Sequence, residues 1–249
     1  MVGPKATQQA VIVAAGFGSR LQALRPGGQL IKPLEPVGGV PILRRVIETT
    51  LATGITEVVL VTGHMASELE AAVGSWGFGG CVRFVRNERY ELGNGVSLLC
   101  GARECQGDFV LLMSDHLFQS RNLSGMLAAG RGDNGAILAI DRKIKSCFDL
   151  DDATKVVADG DRILEIGKQL GSYNAIDTGM FLISGEVVPL LDGVMVRCGD
   201  ASISDAMTQF IGQGRMGAYD VGDGRWHDVD TPEMYDEAER LVAAGLFAG

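Results

Sequence analysis

Ala10-Val11-Ile12-Val13-Ala14-Ala15-Gly16-Phe17-Gly18-Ser19-Arg20-Leu21 is the stretch that decides the fold. Its first six residues are apolar, with a β-branched centre, and do not alternate with polar ones. That pattern fits a parallel strand buried on both faces. A glycine-rich turn follows. Gly16 and Gly18 carry no Cβ, so backbone N–H groups there can approach a phosphate. Arg20 adds a planar cationic fork that suits phosphate oxygens. Two familiar phosphate loops are excluded. A dinucleotide fingerprint needs a third Gly or Ala where Leu21 stands, and a Walker A loop needs Gly-Lys-Ser/Thr.

Outward from this segment, strand and helix signals alternate. Pro41 heads a helix pattern through Leu51, with Gly54 just beyond it. Residues 57–63 read as a strand, 65–76 as a helix, 82–87 as a strand and 95–105 as a helix. Residues 109–115 form a very apolar strand that ends in an acid. This order predicts an α/β fold, a three-layer, Rossmann-like and mostly parallel sheet with helices on both faces. Beyond about residue 135 the pattern changes to short strands at 135–140, 153–158, 162–167 and 175–184, which predict an inserted antiparallel or mixed sheet region. Residues 187–191, 202–211 and 231–245 read as helical, the last with Thr231 as N-cap and Pro232 in its first turn. We expect a single domain over 1–249. Its first half covers about 1–135, the added sheet region about 136–225, and a final segment with a helix 226–249.

Composition narrows the partners. The 249 residues carry 22 Lys and Arg against 31 Asp and Glu, a formal charge of −9. An acidic chain is poorly suited to hold nucleic acid by general charge attraction, so none is expected as a partner. A phosphorylated small molecule needs only a few local cations and N–H groups. No apolar run approaches the roughly 20 residues of a membrane span, and the start of the chain lacks an apolar signal core. The five cysteines form no C-x-x-C pair. We read them as reduced and mostly buried thiols in a cytoplasmic protein.

Two acids stand out. Asp115 ends a buried strand at the sheet edge where α/β proteins bind ligands, and its oxygens suit Mg²⁺. Asp228 and Asp230 lie two residues apart in an extended segment and therefore share a face. His116 follows Asp115 and is a candidate substrate contact. His227 and His64 read as structural and loop residues, and the three histidines do not make a zinc site.

A second segment gives the turn its meaning. Ile31-Lys32-Pro33-Leu34 and Gly39-Val40-Pro41-Ile42-Leu43 follow the turn at close spacing. Together, AAGFGSRL, KPL and the Gly-x-Pro-Ile-Leu run resemble the N-terminal signature of sugar-nucleotidyltransferase-like enzymes, with Ser19 in place of their usual Thr. That resemblance implies a GT-A-like nucleotidyltransferase fold and a nucleoside triphosphate as substrate. Ala14, Ala15, Gly16, Gly18 and Ser19 would hold the nucleotide, Arg20 and Lys32 would be catalytic, and Mg²⁺ would sit on Asp115 and Asp230. Asp228 is held in reserve as the alternative second ligand.

Further segments resemble the CTP:inositol-1-phosphate cytidylyltransferase group. They are Asn87 to Leu99, Met113 to His116, Asp149 to Val156 and Tyr173 to Phe181. In these terms Asn94 and Ser97 would meet the base or ribose. Asp115, His116, Lys155, Lys168, Asp177 and Gly179 would face the acceptor. That group is often fused to a membrane-embedded phosphotransferase, so a stand-alone version is expected to pass its product to a separate one. The implied reaction transfers CMP from CTP to inositol 1-phosphate. Phosphocholine, another polyol phosphate or a sugar 1-phosphate remains open as acceptor, and a non-catalytic nucleotide-binding subunit is the reading from another class. Oligomeric state is not encoded in any pattern found.

Overall fold

A computed structural model describes residues 7–247. The terminal residues 1–6, on which part of the reading of the chain's start rests, lie outside the described residues. The elements, in chain order, are β1 (Gln9–Ala14), β2 (Pro36–Val37), β3 (Val40–Pro41), α1 (Ile42–Leu51), β4 (Glu57–Thr62), α2 (Ala66–Gly74), β5 (Val82–Arg86) and α3 (Asn94–Ala102). There follow β6 (Phe109–Met113), β7 (His116–Phe118), α4 (Ser120–Ala129), β8 (Ala136–Asp141), β9 (Lys155–Asp159), β10 (Arg162–Gly167) and β11 (Ala175–Ile183). The chain closes with α5 (Val187–Cys198), α6 (Ile203–Gly212), β12 (Met216–Asp220), β13 (Trp226–Asp228) and α7 (Pro232–Ala243).

One nine-stranded sheet runs in the order β5-β4-β1-β6-β11-β8-β12-β10-β9. The first four neighbours are parallel, as the alternating strand and helix signals predict. β11 then runs antiparallel to both β6 and β8. β12 returns parallel to β8. The later strands thus continue the main sheet, and the β9–β10 hairpin folds back at its far end so that β9 also pairs antiparallel with β11.

Alternate residues of the central strands feed two cores. Ala10, Ile12, Val58, Leu60, Val110 and Leu112 pack on one face, beneath α1, α2, α4 and α7. Val11, Val59, Val61, Phe109 and Leu111 pack on the other, beneath α3, α5 and α6. The period of two in a strand makes this division, and both faces are apolar because both are covered. α3 lies close on β1, because a Cβ at Gly101 would stand 2.4 Å from Val11 Cγ1. This sets the amino end of α3 over the carboxyl end of β1.

Several local details add to the sequence reading, and one corrects it. The segment after the glycine turn is a 3₁₀ turn, Ser19–Leu24. Helix α4 was not legible, since SRNLSGMLAA is weakly patterned and carries Gly125 inside it. That glycine admits the Tyr219 ring, whose Oη would stand 2.0 Å from an added Cβ. The cysteines are free, but four are only partly buried and Cys198 is exposed, so the expectation of mostly buried thiols is corrected. Among the described residues, no helix is long and apolar enough to cross a membrane.

Candidate active site

The site lies at the carboxyl ends of β1 and β6. A short antiparallel ladder assembles it. β13 pairs with β7 so that Asp228 faces His116, and the Val229 N–H then donates to the Asp115 carbonyl at 3.0 Å. This brings Asp230 beside Asp115 across more than a hundred residues of chain. Asp230 is held from the other side by α7, where the Thr231 hydroxyl accepts from the Met234 N–H and caps the helix.

Lys32 lies between the two acids. Its side chain is 7% exposed, and Nζ donates to Asp115 Oδ2 at 2.5 Å and to Asp230 Oδ1. Burial works against its charge, but Asp115 and Asp230 outweigh it and raise its pKa. Burial likewise opposes the Asp115 carboxylate, yet Lys32 and His116 hold it well below the usual carboxylate range. Arg20 reaches in from the glycine turn. It donates to Asp230 Oδ2 at 2.8 Å and to Asp152.

Two cavities open on this cluster. One, of about 210 Å³, is lined by Ala14, Ala15, Gly16, Asn94, Ser97 and Asp115, with Tyr90 and Pro33 at its sides. The other, of about 170 Å³, is lined by Arg20, His116, Asp152, Lys168, Asp177, Gly179, Trp226, Asp228 and Asp230. Asn94 and Met113 line both. Of the sequence-assigned nucleotide residues, Ala14, Ala15, Gly16, Asn94 and Ser97 line the first cavity and Gly18 and Ser19 line neither, while most of the acceptor residues line the second.

Individual roles differ from the sequence expectation in instructive ways. Gly16 has open space where a Cβ would be, as a phosphate approach requires. Gly18 does not. It has φ 62°, and its missing Cβ makes room for the stem of Lys32. Ser19 is exposed at the start of the 3₁₀ turn. The Asn94 side-chain carbonyl accepts from the Ile203 N–H at 2.9 Å, which ties α3 to α6. Ser97 accepts from the Asn87 amide at 3.0 Å.

Lys155 is corrected. Its ammonium does not line the acceptor cavity. It donates to the carbonyls of Asp151 and Ala153 at 3.1 and 3.2 Å and lies over the Tyr173 ring. A strand lysine with two carbonyls in reach serves as a brace for the loop before it. Lys168 does line the cavity, and its ammonium is 2.6 Å from Asp152 Oδ1.

The floor of the second cavity is built around His116. Its Nδ1 is 2.7 Å from Asp115 Oδ1, and its ring stacks on Trp226 with centroids 6.2 Å apart. Trp226 is itself fixed by donating to buried Asp141 at 2.9 Å. Burial disfavours the charged imidazole, but the hydrogen bond and charge of Asp115, with Asp228 and Asp230 beyond, raise His116 to about 9. Gly179, at φ 76°, yields its Cβ space to that ring, 2.7 Å from His116 Cδ2. Asp177 lies close by. Burial raises it to about 6, against the Gly179 N–H at 2.7 Å and the charge of His116. Asp152 was missed as a site residue. Its signal was the run Asp149-Leu150-Asp151-Asp152, from which sequence alone does not choose the inward acid.

A parallel α/β sheet that ends in a glycine turn, two cationic side chains and paired carboxylates between two cavities defines a nucleoside-triphosphate-using transferase. The family model for the MobA-like NTP transferase domain matches residues 10–215, and the chain belongs to that family. Among its relatives is the bifunctional IPC transferase and DIPP synthase of Rubrobacter xylanophilus, 33% identical over 245 residues. That match covers 96% of this chain and 53% of the relative. The protein of the same name from Archaeoglobus fulgidus is 29% identical over 97% of this chain and 45% of its own length. The chain thus spans about half the length of these curated relatives. In fold it is similar to the inositol-1-phosphate CTP transferase from T. maritima, with a TM-score of 0.83 at 24% identity. That likeness covers 95% of this chain and 97% of the other.

Proposed function

We propose that this chain transfers CMP from CTP to inositol 1-phosphate, giving CDP-inositol and pyrophosphate. The observation that carries the reading is that Asp115 on the first cavity and Asp230 and Arg20 on the second are joined by ion pairs, through the buried Lys32 ammonium between the two acids, where the cavities adjoin at Asn94 and Met113. A donor and an acceptor seated in them would present their phosphates to one set of charges. The names borne by the relatives support inositol phosphate and CTP as the pair.

The acceptor's phosphate oxygen attacks the α-phosphorus in line. A P–O bond forms there as the bond to the β-phosphate oxygen breaks, and pyrophosphate leaves. A phosphomonoester has its second pKa near 6, so the nucleophile is already ionised at pH 7. No general base is needed. What the chain supplies is position and preorganised charge. The turn around Gly16 receives the triphosphate, and Arg20, which lines the acceptor cavity, meets the acceptor's phosphate as it approaches the α-phosphorus. Lys32 meets the charge growing at the α-phosphate. Asp177 accepts hydrogen bonds from acceptor hydroxyls, and Lys168 faces the acceptor phosphate.

Mg²⁺ fits this cluster. Asp115 and Asp230 offer only carboxylate oxygens, the donor type Mg²⁺ prefers, and a cationic ammonium already lies between them. The cavity-lining acids Asp115, Asp149, Asp152, Asp177, Asp228 and Asp230 also outnumber Arg20 and Lys168, the arginine and lysine that line the cavities, although the ligands are polyanions. Bound there, the ion would offset phosphate charge and polarise the P–O bonds.

The aromatic residues speak against a choline acceptor. A quaternary ammonium wants convergent rings. Trp226 and Phe181 line the acceptor cavity, but Tyr90 lines the other one and Tyr173 lies over Lys155. CTP as donor assigns the reaction to the cytoplasm, where that nucleotide is made.

The test is pyrophosphate release with each nucleoside triphosphate against a panel of phosphomonoesters. Turnover with CTP and inositol 1-phosphate is expected. Turnover with UTP or dTTP and glucose 1-phosphate, with none from CTP, would refute the assignment.

A further inference from the structure

Arg20 and Lys168 come from opposite ends of the fold, one from the glycine turn and one from just beyond β10. Both lie at the acceptor cavity, and a single carboxylate joins them. Asp152 Oδ2 accepts from the Arg20 guanidinium, and Asp152 Oδ1 accepts from Lys168 Nζ at 2.6 Å. Asp152 belongs to the loop between β8 and β9. That loop is braced from within, because the Asp152 and Ala153 N–H groups donate to Asp149 and the Lys155 ammonium holds the carbonyls of Asp151 and Ala153. The brace fixes the backbone at Asp152, while its side chain, 36% exposed, can turn out of the subsite.

A carboxylate and a phosphate compete for the same donors, since each offers oxygens about the same distance apart to ammonium and guanidinium groups. We propose that Asp152 is a built-in placeholder for the acceptor's phosphate. It occupies the subsite between Arg20 and Lys168 in the free protein and leaves when a phosphomonoester binds. The exchange frees both cations for a dianion that carries twice the charge of the carboxylate. It also sets a threshold, because a monoanionic ligand gains little over the aspartate it must displace. This inference rests on the transferase reading for the name of the acceptor. The subsite itself is defined by the three side chains.

Inorganic phosphate, titrated calorimetrically into the full chain without nucleotide, is the probe. Asp152→Asn removes the competing charge and leaves the amide in the same volume, so phosphate should bind about tenfold more tightly than to the wild-type chain. Asp152→Glu should restore weak binding. Lys168→Ala added to Asp152→Asn should abolish the gain. Should Asp152→Asn fail to fold, Asp152→Ser makes the same comparison. Phosphate affinity that is unchanged, weaker or undetectable in the neutral variants would overturn the placeholder, as would a gain that survives loss of Lys168. Failure of CMP transfer to every phosphomonoester would instead sink the transferase reading and leave the phosphate titration standing.

Discussion

The stem of Lys32 fills the place where a side chain on Gly18 would stand, with an added Cβ falling 2.6 Å from Lys32 Cβ. The two glycines of the turn therefore have different duties. Gly18 sits at φ 62°, where an L side chain costs about 1 kcal/mol, and any side chain there pushes the ammonium off Asp115 and Asp230. Gly16 faces open space. Gly18→Ala should lower turnover at least tenfold, beyond what its lost stability explains. Gly16→Ala should melt like the parent and act mainly by raising the KM for the triphosphate. Steady-state kinetics beside thermal melts separate the two, and equal effects from both substitutions would refute the division.

The two candidate acids after β13 have different surroundings. Asp230 is bonded to both Lys32 and Arg20, whereas Asp228 lines the acceptor cavity opposite His116. Removing one preorganised charge at a reacting phosphate costs roughly 100- to 1000-fold. Asp230→Ala, Asp115→Ala and Lys32→Ala should each lose turnover on that scale while retaining a cooperative melt. Asp228→Ala should act mainly on acceptor KM. A larger loss of turnover from Asp228→Ala than from Asp230→Ala would reverse the assignment.

The nucleotide half was legible because its strands are buried on both faces and its turn is built from backbone and glycine, both of which leave marks in the sequence. Arg20 drew attention as a cation within that turn, and Lys32 only through the resemblance of its segment to the nucleotidyltransferase signature. What joins Asp115 to Asp230 was not, because the ladder of β7 on β13 is three residues long and neither strand has a pattern of its own. Lys155 was misread for a related reason. The sequence put it on a strand at the cavity's side, but its reach to two carbonyls depends on how the preceding loop folds back. Asp152 was hidden among three neighbouring acids for the same cause. Helix α4 escaped because its glycine is explained only by a tyrosine from β12.

Asp177 carries a stability cost that depends on pH. Its folded-state pKa is raised to about 6 from the ordinary 3.8 by burial. The folded protein therefore holds a proton that the unfolded chain has released between these values, and stability falls as pH rises from about 4 to about 6. Above that range the full penalty remains, at most about 3 kcal/mol for a shift of this size. Asp177→Asn should thus melt higher than the parent at pH 7.5, with the difference shrinking towards pH 4.5, while acceptor KM rises. Thermal melts across that range check it, and a variant less stable than the parent at pH 7.5 would contradict the burial argument.

Metal and nucleotide should bind in a linked way. In the free protein the Lys32 ammonium already bridges Asp115 and Asp230, so a divalent ion alone must displace a buried cation that those acids stabilise. With a triphosphate present, Lys32 gains a new anionic partner and the carboxylates can accept the ion. A ligand stabilises the fold by RT ln(1 + [L]/Kd), about 2.7 kcal/mol at a hundredfold excess over Kd. Millimolar Mg²⁺ alone should therefore raise the melting temperature little, while Mg²⁺ with CTP should raise it by more than the sum of the separate shifts. Chelation should abolish pyrophosphate release and readdition of Mg²⁺ should restore it. In Lys32→Ala, where nothing bridges the acids, Mg²⁺ alone should stabilise more than it does the parent. Additive shifts in the parent, or turnover that persists under chelation, would remove the metal from the carboxylate pair.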